Sequence, residues 1–267
     1  MPRILALLMM LGLMLNALPG CSLLPEQIDE TKNWSASKLY YSAKEYLADG
    51  NYTEAVKMFE KLEARYPYGA YAQQSQLETA YAYYKDNEPA SAIAACDRFI
   101  KLHPNHPNVD YAYFLKGLAN FVEDTSIFAQ FADQDMSERD PKSAREAFES
   151  FKELATRFPQ SKYSAEAIGR MKYLVNSLGA HEVQVARFYY KRGAYVAAVN
   201  RVKYALENYR QSPALEEGLA IMAKSYDKLN LPDLRDDALR VLKLNFPTSL
   251  YVAGDGPVQD KPWWKLW

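Results

Sequence analysis

Residues 35–71 read SASKLYYSAKEYLADGNYTEAVKMFEKLEARYPYGAY, and this stretch decides the fold. Ser35 is placed to cap a helix running to about Asp49, because its hydroxyl can accept a backbone N–H that the first turn leaves unpaired. Gly50 ends that helix, since glycine enters the left-handed region at little cost. Asn51 with Glu54 three residues on resembles a capping box and opens a second helix. That helix meets Pro67, which cannot continue it but can introduce the next one. The stretch therefore predicts helix, turn, helix, and then a fresh start.

The same punctuation returns along the chain: RYPYGAY (65–71), LHPNHPN (102–108), RFPQSKY (157–163) and NFPTSLY (245–251). A fifth mark, NYRQSPA (208–214), keeps the aromatic and the small residue but carries Arg210 where proline would stand. Between marks the pairs break at Asp86-Asn87-Glu88-Pro89, at Gly193 and at Pro232, and the third pair starts its second helix at Asp140-Pro141. Five helix pairs in tandem resemble tetratricopeptide repeats. The matching positions include Ala43, Tyr46, Ala55, Phe59 and Pro67 in unit one, and Ala80, Tyr83, Ala92, Cys96 and Pro104 in unit two. Unit three offers Gly117, Ala147, Phe151 and Pro159, unit four Ala186, Tyr189, Ala198 and Val202, and unit five Ala223, Tyr226, Leu239 and Pro247. No such unit buries its apolar face alone, so the expected fold is all-α: a right-handed superhelical solenoid of about five helix pairs with a concave groove.

Two spacings break the rhythm. Pro104 to Pro159 is 55 residues against the 37 from Pro67 to Pro104, which implies about 18 extra residues around FVEDTSIFAQFADQDMSERD (121–140). Its Ile127, Phe128 and Phe131 either dock back on the groove or meet a partner. Pro159 to Arg210 is 51 residues, which predicts a long or kinked helix through about 161–192, softened at Gly179.

The chain opens with Met1-Pro2-Arg3 and about 15 nearly unbroken apolar residues to Leu18. A basic start and a short greasy run have signal-peptide architecture, and the run falls short of the roughly 20 residues a spanning helix needs. LPGCSLL (18–24) resembles the lipobox of bacterial lipoproteins, with Leu18 at −3, Gly20 at −1 and Cys21 as the residue that would be acylated; Pro19 departs from the usual small residue. That resemblance implies removal of residues 1–20 and a diacylglycerol and N-acyl lipid on Cys21. It further implies, through Ser22, sorting to the outer membrane rather than retention in the inner one. Several acyl chains at roughly 0.8 kcal/mol per buried methylene would hold the chain on a bilayer. Cys96, the other cysteine, is then expected as a buried apolar thiol with no disulfide partner.

Little in the sequence points to catalysis. It has no phosphate-cradling glycine loop, nucleophile elbow or zinc-protease helix. His103-x-x-His106 falls in the proline-flanked turn HPNHP and reads as an inter-repeat turn rather than a metal site; no other cofactor is expected. Net charge of −1 gives no electrostatic case for nucleic acid.

In the repeat family the first helix of each unit lines the groove. Carrying those offsets over selects Tyr40, Lys44 and Leu47, then Leu77, Tyr81, Tyr84 and Lys85, then Tyr111, Phe114, Leu118 and Phe121. Such a surface suits a peptide bearing aromatic rings and a carboxylate; the alternative is that many of these rings serve inter-helix packing.

The segments YPYGAYAQQSQLETAYAYYK (66–85), DRFIKLHPNHPNVDYAYFLKGL (97–118), ERDPKSAREAF (138–148) and AAVNRVKY (197–204) closely resemble the BamD/ComL family of outer-membrane lipoproteins, over roughly residues 21–250. The resemblance implies a non-enzymatic subunit of the β-barrel assembly machinery on the periplasmic face of the outer membrane. Its partners would be BamA, other assembly-machinery lipoproteins and unfolded outer-membrane β-barrel precursors. On this pattern residues 21–33 are the lipidated N-terminus and linker, 34–159 hold repeats 1–3 with the precursor groove, and 160–250 hold repeats 4–5 as partner scaffold. Arg201 in VNRV matches a family position facing BamA; pairing within its own helix hairpin is the alternative. The Trp-rich tail (251–267), with Trp263, Trp264 and Trp267, lies outside the resemblance and either touches headgroups or a partner, or folds back on the last repeat. A periplasmic repeat adaptor coordinating peptidoglycan enzymes or competence is the second reading, because the repeats alone do not separate the two.

Overall fold

The computed structural model describes residues 29–121 and 141–252, and these form ten α-helices without a strand. They are α1 (Ala36–Ala48), α2 (Tyr52–Arg65), α3 (Ala70–Lys85), α4 (Pro89–Leu102), α5 (Val109–Asn120), α6 (Pro141–Arg157), α7 (Ser164–Lys191), α8 (Tyr195–Asn208), α9 (Leu215–Lys228) and α10 (Pro232–Asn245). Each helix packs on its sequence neighbours, and the first helices of successive units also touch: α1 on α3, α3 on α5, and α7 on α9. This is the five-pair solenoid that the punctuation predicts.

Capping explains the ends. The Ser35 hydroxyl accepts the Lys38 N–H at 3.2 Å, and the Asn51 carboxamide oxygen accepts that of Glu54 at 3.4 Å. Within four pairs the turn is one device: a left-handed residue, Gly50, Asn87, Gly193 or Asn230, with φ between 56° and 76°. The next N–H then reaches back to a tyrosine carbonyl: Asn51 to Tyr46, Glu88 to Tyr83, Ala194 to Tyr189, and Leu231 to Tyr226, at 2.8–3.0 Å. This closes helix carbonyls that would otherwise lack donors. Asparagine replaces glycine twice because it tolerates the left-handed region best among side-chain-bearing residues.

Between pairs, Tyr66, His103, Tyr209 and Phe246 share one extended backbone state, φ −128° to −132° with ψ 45–68°. Proline at the next position disfavours helical backbone in the residue before it. Tyr209 adopts the same state ahead of Arg210, so the geometry survives where the proline is missing.

Phe59, Phe99 and Phe151 are the largest fully buried side chains and fill the space within and between units. A β-carbon on Gly117 would stand 2.4 Å from the Phe151 ring, so the helix accepts no side chain there. The long-helix expectation holds over 28 residues of α7, but its softening at Gly179 does not. α7 runs unbroken through that position, where a β-carbon would meet the Ser212 hydroxyl at 2.4 Å. Glycine there admits the 209–214 turn; it does not relax the helix. At about 1.5 Å rise per residue α7 is about 42 Å long, and it packs on α6 with one part and α8 and α9 with another. It is the beam that joins units 1–3 to units 4–5.

Candidate binding groove and partner face

The first helices of units 1–3 carry a chain of aromatic contacts. The Tyr40 ring lies 5.3 Å from Tyr71 and 5.6 Å from Tyr41, and Tyr41 lies 6.5 Å from Tyr71. The Tyr40 hydroxyl donates to Glu78 Oε1 at 3.4 Å, and Lys44 Nζ donates to the same oxygen at 2.8 Å. Burial, reinforced by the Glu78 charge, pushes the Tyr40 hydroxyl well above its ordinary pKa, so it stays a neutral donor. Farther along, Tyr81 and Tyr84 are half-buried and pack with Tyr83 and Tyr111 over Ala80, Ala95, Cys96 and Leu115. Tyr111 meets Tyr163 at 5.3 Å, and Phe114 stacks on Tyr163 at 4.9 Å and 16°. Each such ring pair contributes about 0.5–1.5 kcal/mol beyond area burial.

These positions correct the groove reading in two respects. Tyr40, Phe114 and Phe121 are 6%, 6% and 8% exposed, so they build the wall rather than stand open on it. Phe121 turns its edge to Phe151 and Tyr173 and lies under the Arg170 guanidinium at 4.9 Å. Lys44, expected as a charge partner for a ligand carboxylate, is already neutralised by Glu78. Lys85 is exposed at the end of α3. The open surface of the wall is thus tyrosine-rich and weakly charged, fit to take apolar and aromatic side chains along an extended segment.

In units 4–5, Arg201 Nη1 lies 3.1 Å from Glu182 Oε2. Glu182 is 4% exposed at its side chain and Arg201 is 45% exposed, so one face of the guanidinium serves the hairpin and the other meets solvent. Sequence reading missed a stronger pair: Arg187 Nε and Nη2 grip the two Glu217 oxygens at 2.6 Å each, joining α7 to α9. A planar fork on a carboxylate is the strong form of such a bond. Its only signal in the sequence is opposite charge 30 residues apart, close to one repeat.

Cys96 is buried and unpaired, and burial pushes its thiol up to about 12, which leaves it protonated. His103 Nε2 lies 2.9 Å from Gln76 Oε1, and both His103 and His106 rest on Phe99 at 5.2 Å, which ties the turn to the unit before it. Among the described residues, no group of three His, Cys, Asp or Glu side chains is arranged to hold a metal, and no helix is long and apolar enough to cross a membrane. Cys21 with its leader, the apolar residues Ile127, Phe128 and Phe131, and Trp263, Trp264 and Trp267 lie outside the described residues.

A family model described as "YfiO: Outer membrane lipoprotein" matches residues 32–242. The outer membrane protein assembly factor BamD of Neisseria meningitidis serogroup B is 49% identical over 96% of this chain and 96% of its own length. That of Vibrio cholerae is 34% identical over 87% of this chain and 95% of its own. Among solved structures, MamA aligns with 75% of this chain and 91% of its own at a TM-score of 0.38 and 14% identity.

Proposed function

This chain belongs to the YfiO family of outer membrane lipoproteins, and from that premise we propose that it is a non-enzymatic scaffold of the β-barrel assembly machinery. It would hang from the outer membrane by lipid on Cys21, hold the periplasmic region of BamA with units 4–5, and receive unfolded barrel precursors on units 1–3. The observation that carries the reading is the 49% identity along nearly the whole chain to proteins named as BamD assembly factors. The tyrosine-rich wall from Tyr71 to Tyr163 adds chemical support, since precursor strands present alternate apolar and aromatic side chains and an extended segment offers them to a groove. Arg201 is the proposed contact to BamA: its exposed face can give a charge-assisted bond to a carboxylate while Glu182 orients the other.

The test is a tagged pull-down from mild-detergent extracts, with co-purifying proteins identified by mass spectrometry. Stoichiometric recovery of a large outer-membrane barrel with periplasmic repeats is the expected result. Recovery of cell-wall synthases or hydrolases without that barrel would move the chain to the adaptor reading.

A further inference from the structure

The described chain begins with a strap across one edge of the solenoid. Arg65, in the last turn of α2, binds both the Asp29 carboxylate and the Thr31 carbonyl. Lys61 lies 3.6 Å from Asp29, and the Tyr66 hydroxyl donates to the Trp34 carbonyl at 2.9 Å. The point where the chain arrives from Cys21 is therefore fixed to unit one, where α1 starts and the loop between α2 and α3 turns.

The same edge carries exposed aromatic and basic side chains. Tyr68 is 90% exposed, standing on the loop before Gly69, and Tyr41 and Tyr66 are also exposed. Trp34 is half-buried with the Lys38 ammonium 4.1 Å above its ring, and Lys32 is exposed beside it. A packed core would cover such rings, and a peptide groove would hold them in a concavity, yet Tyr68 projects from a loop.

We infer that this edge of unit one, formed by Trp34, Lys38, Tyr41, Tyr66 and Tyr68, rests against the phospholipid headgroup layer. The inference rests on the lipid-anchor reading of Cys21. The eight residue steps from Cys21 to Asp29 reach at most about 28 Å. An acylated Cys21 therefore keeps this edge, and not units 4–5, close to the bilayer. Tyrosine and tryptophan are the side chains that favour the membrane–water interface, with an apolar ring and a polar tip, and lysine reaches from there to phosphate. The contact sets the tilt of the solenoid, which a lipid tether at Cys21 alone does not.

The experiment uses the full chain matured in cells, with p-benzoylphenylalanine in place of Tyr68, of Tyr41, or of Leu244, an exposed residue on the last helix. After irradiation of isolated outer membranes, mass spectrometry reads both the adduct and the acyl groups on Cys21. Phospholipid adducts at 68 and 41 several-fold above those at 244 support the contact. A fully acylated, membrane-retained chain with no lipid adduct at 68, or with adducts to protein instead, overturns the contact and leaves the anchor standing. A chain lacking acyl groups and released from membranes overturns the anchor reading, and the contact with it.

Discussion

Gly117 carries no side chain because Phe151 occupies the space where one would begin. Alanine usually gains up to about 1 kcal/mol over glycine in a helix. Here the gain is outweighed, because the ring is fully buried and overpacking costs typically about 1–3 kcal/mol. Gly117→Ala should lower the urea midpoint, and an unchanged or raised midpoint would show that the ring moves freely. Arg201 calls for a gentler probe than charge reversal: Arg201→Glu would set a second carboxylate against the nearly buried Glu182. Arg201→Gln keeps a donor for Glu182 and removes the charge, so it should weaken BamA binding while the melting temperature falls little. Equal affinity of the two proteins in a titration would remove Arg201 from the partner face. Asp29 gives a pH prediction. Thr31 hydrogen bonds first, then the Arg65 and Lys61 charges, lower its carboxyl from 3.8 to about 2. A carboxyl depressed on folding stabilises the strap above its unfolded pKa and loses that contribution as pH falls through its folded one, here between about 4 and 2. The Asp29 side-chain carbon resonance should titrate near 2, and a midpoint near 4 would mean that the strap does not hold it.

At the scale of elements, α7 tests how close approach rather than propensity shapes the junction. Gly179→Ala places a methyl against Ser212, whose hydroxyl also donates to the Asn176 carbonyl at 3.3 Å. The single substitution should destabilise by about 1–3 kcal/mol. Combining it with Ser212→Gly should recover part of that loss, since contacting sites are non-additive. Strict additivity in chemical denaturation would show that the two residues do not meet. Element order was legible because glycine, proline and aromatic marks act locally: Gly50, Pro89, Gly193 and Pro232 each bound a helix as their backbone chemistry requires. Gly179 was misread for the same reason. A local rule treats helical glycine as weakness, whereas its cause is a turn more than 30 residues downstream. The groove residues were legible as to helix but not as to exposure, because Tyr40 and Phe114 sit on the expected helices, and Phe121 just past the end of α5, with their rings turned into the packing.

Across the whole molecule, ties between units are short and periodic. Lys44 with Glu78 and Arg187 with Glu217 join neighbouring units across 34 and 30 residues, and Asp29 with Arg65 ties the entering strap to unit one across 36, each separation close to one repeat. No single charge announces such a pair, since surface carboxylates and lysines are common and only the superhelical register brings these together. The consequence is mechanical. In a solenoid each unit contacts only its neighbours, so stability is nearly a sum of unit and interface contributions. Between units 3 and 4 the join is carried chiefly by α7, which packs on both α6 and α8, helped by Phe121 against Tyr173 and by Ala144 of α6 against the Tyr209 cluster. Damage in unit one should therefore stay local. Phe59, fully buried between α1, α2 and α3, would cost about 3–5 kcal/mol on truncation to alanine. Native-state hydrogen exchange of Phe59→Ala should then show amides of α1 to α4 losing protection while those of α9 keep theirs. Equal loss in α9 would mean that α7 transmits unfolding along the entire chain, and units 4–5 could not serve as a fixed platform while the first units yield to an incoming segment. Retained protection in α9 leaves the two halves free to do different work on one beam.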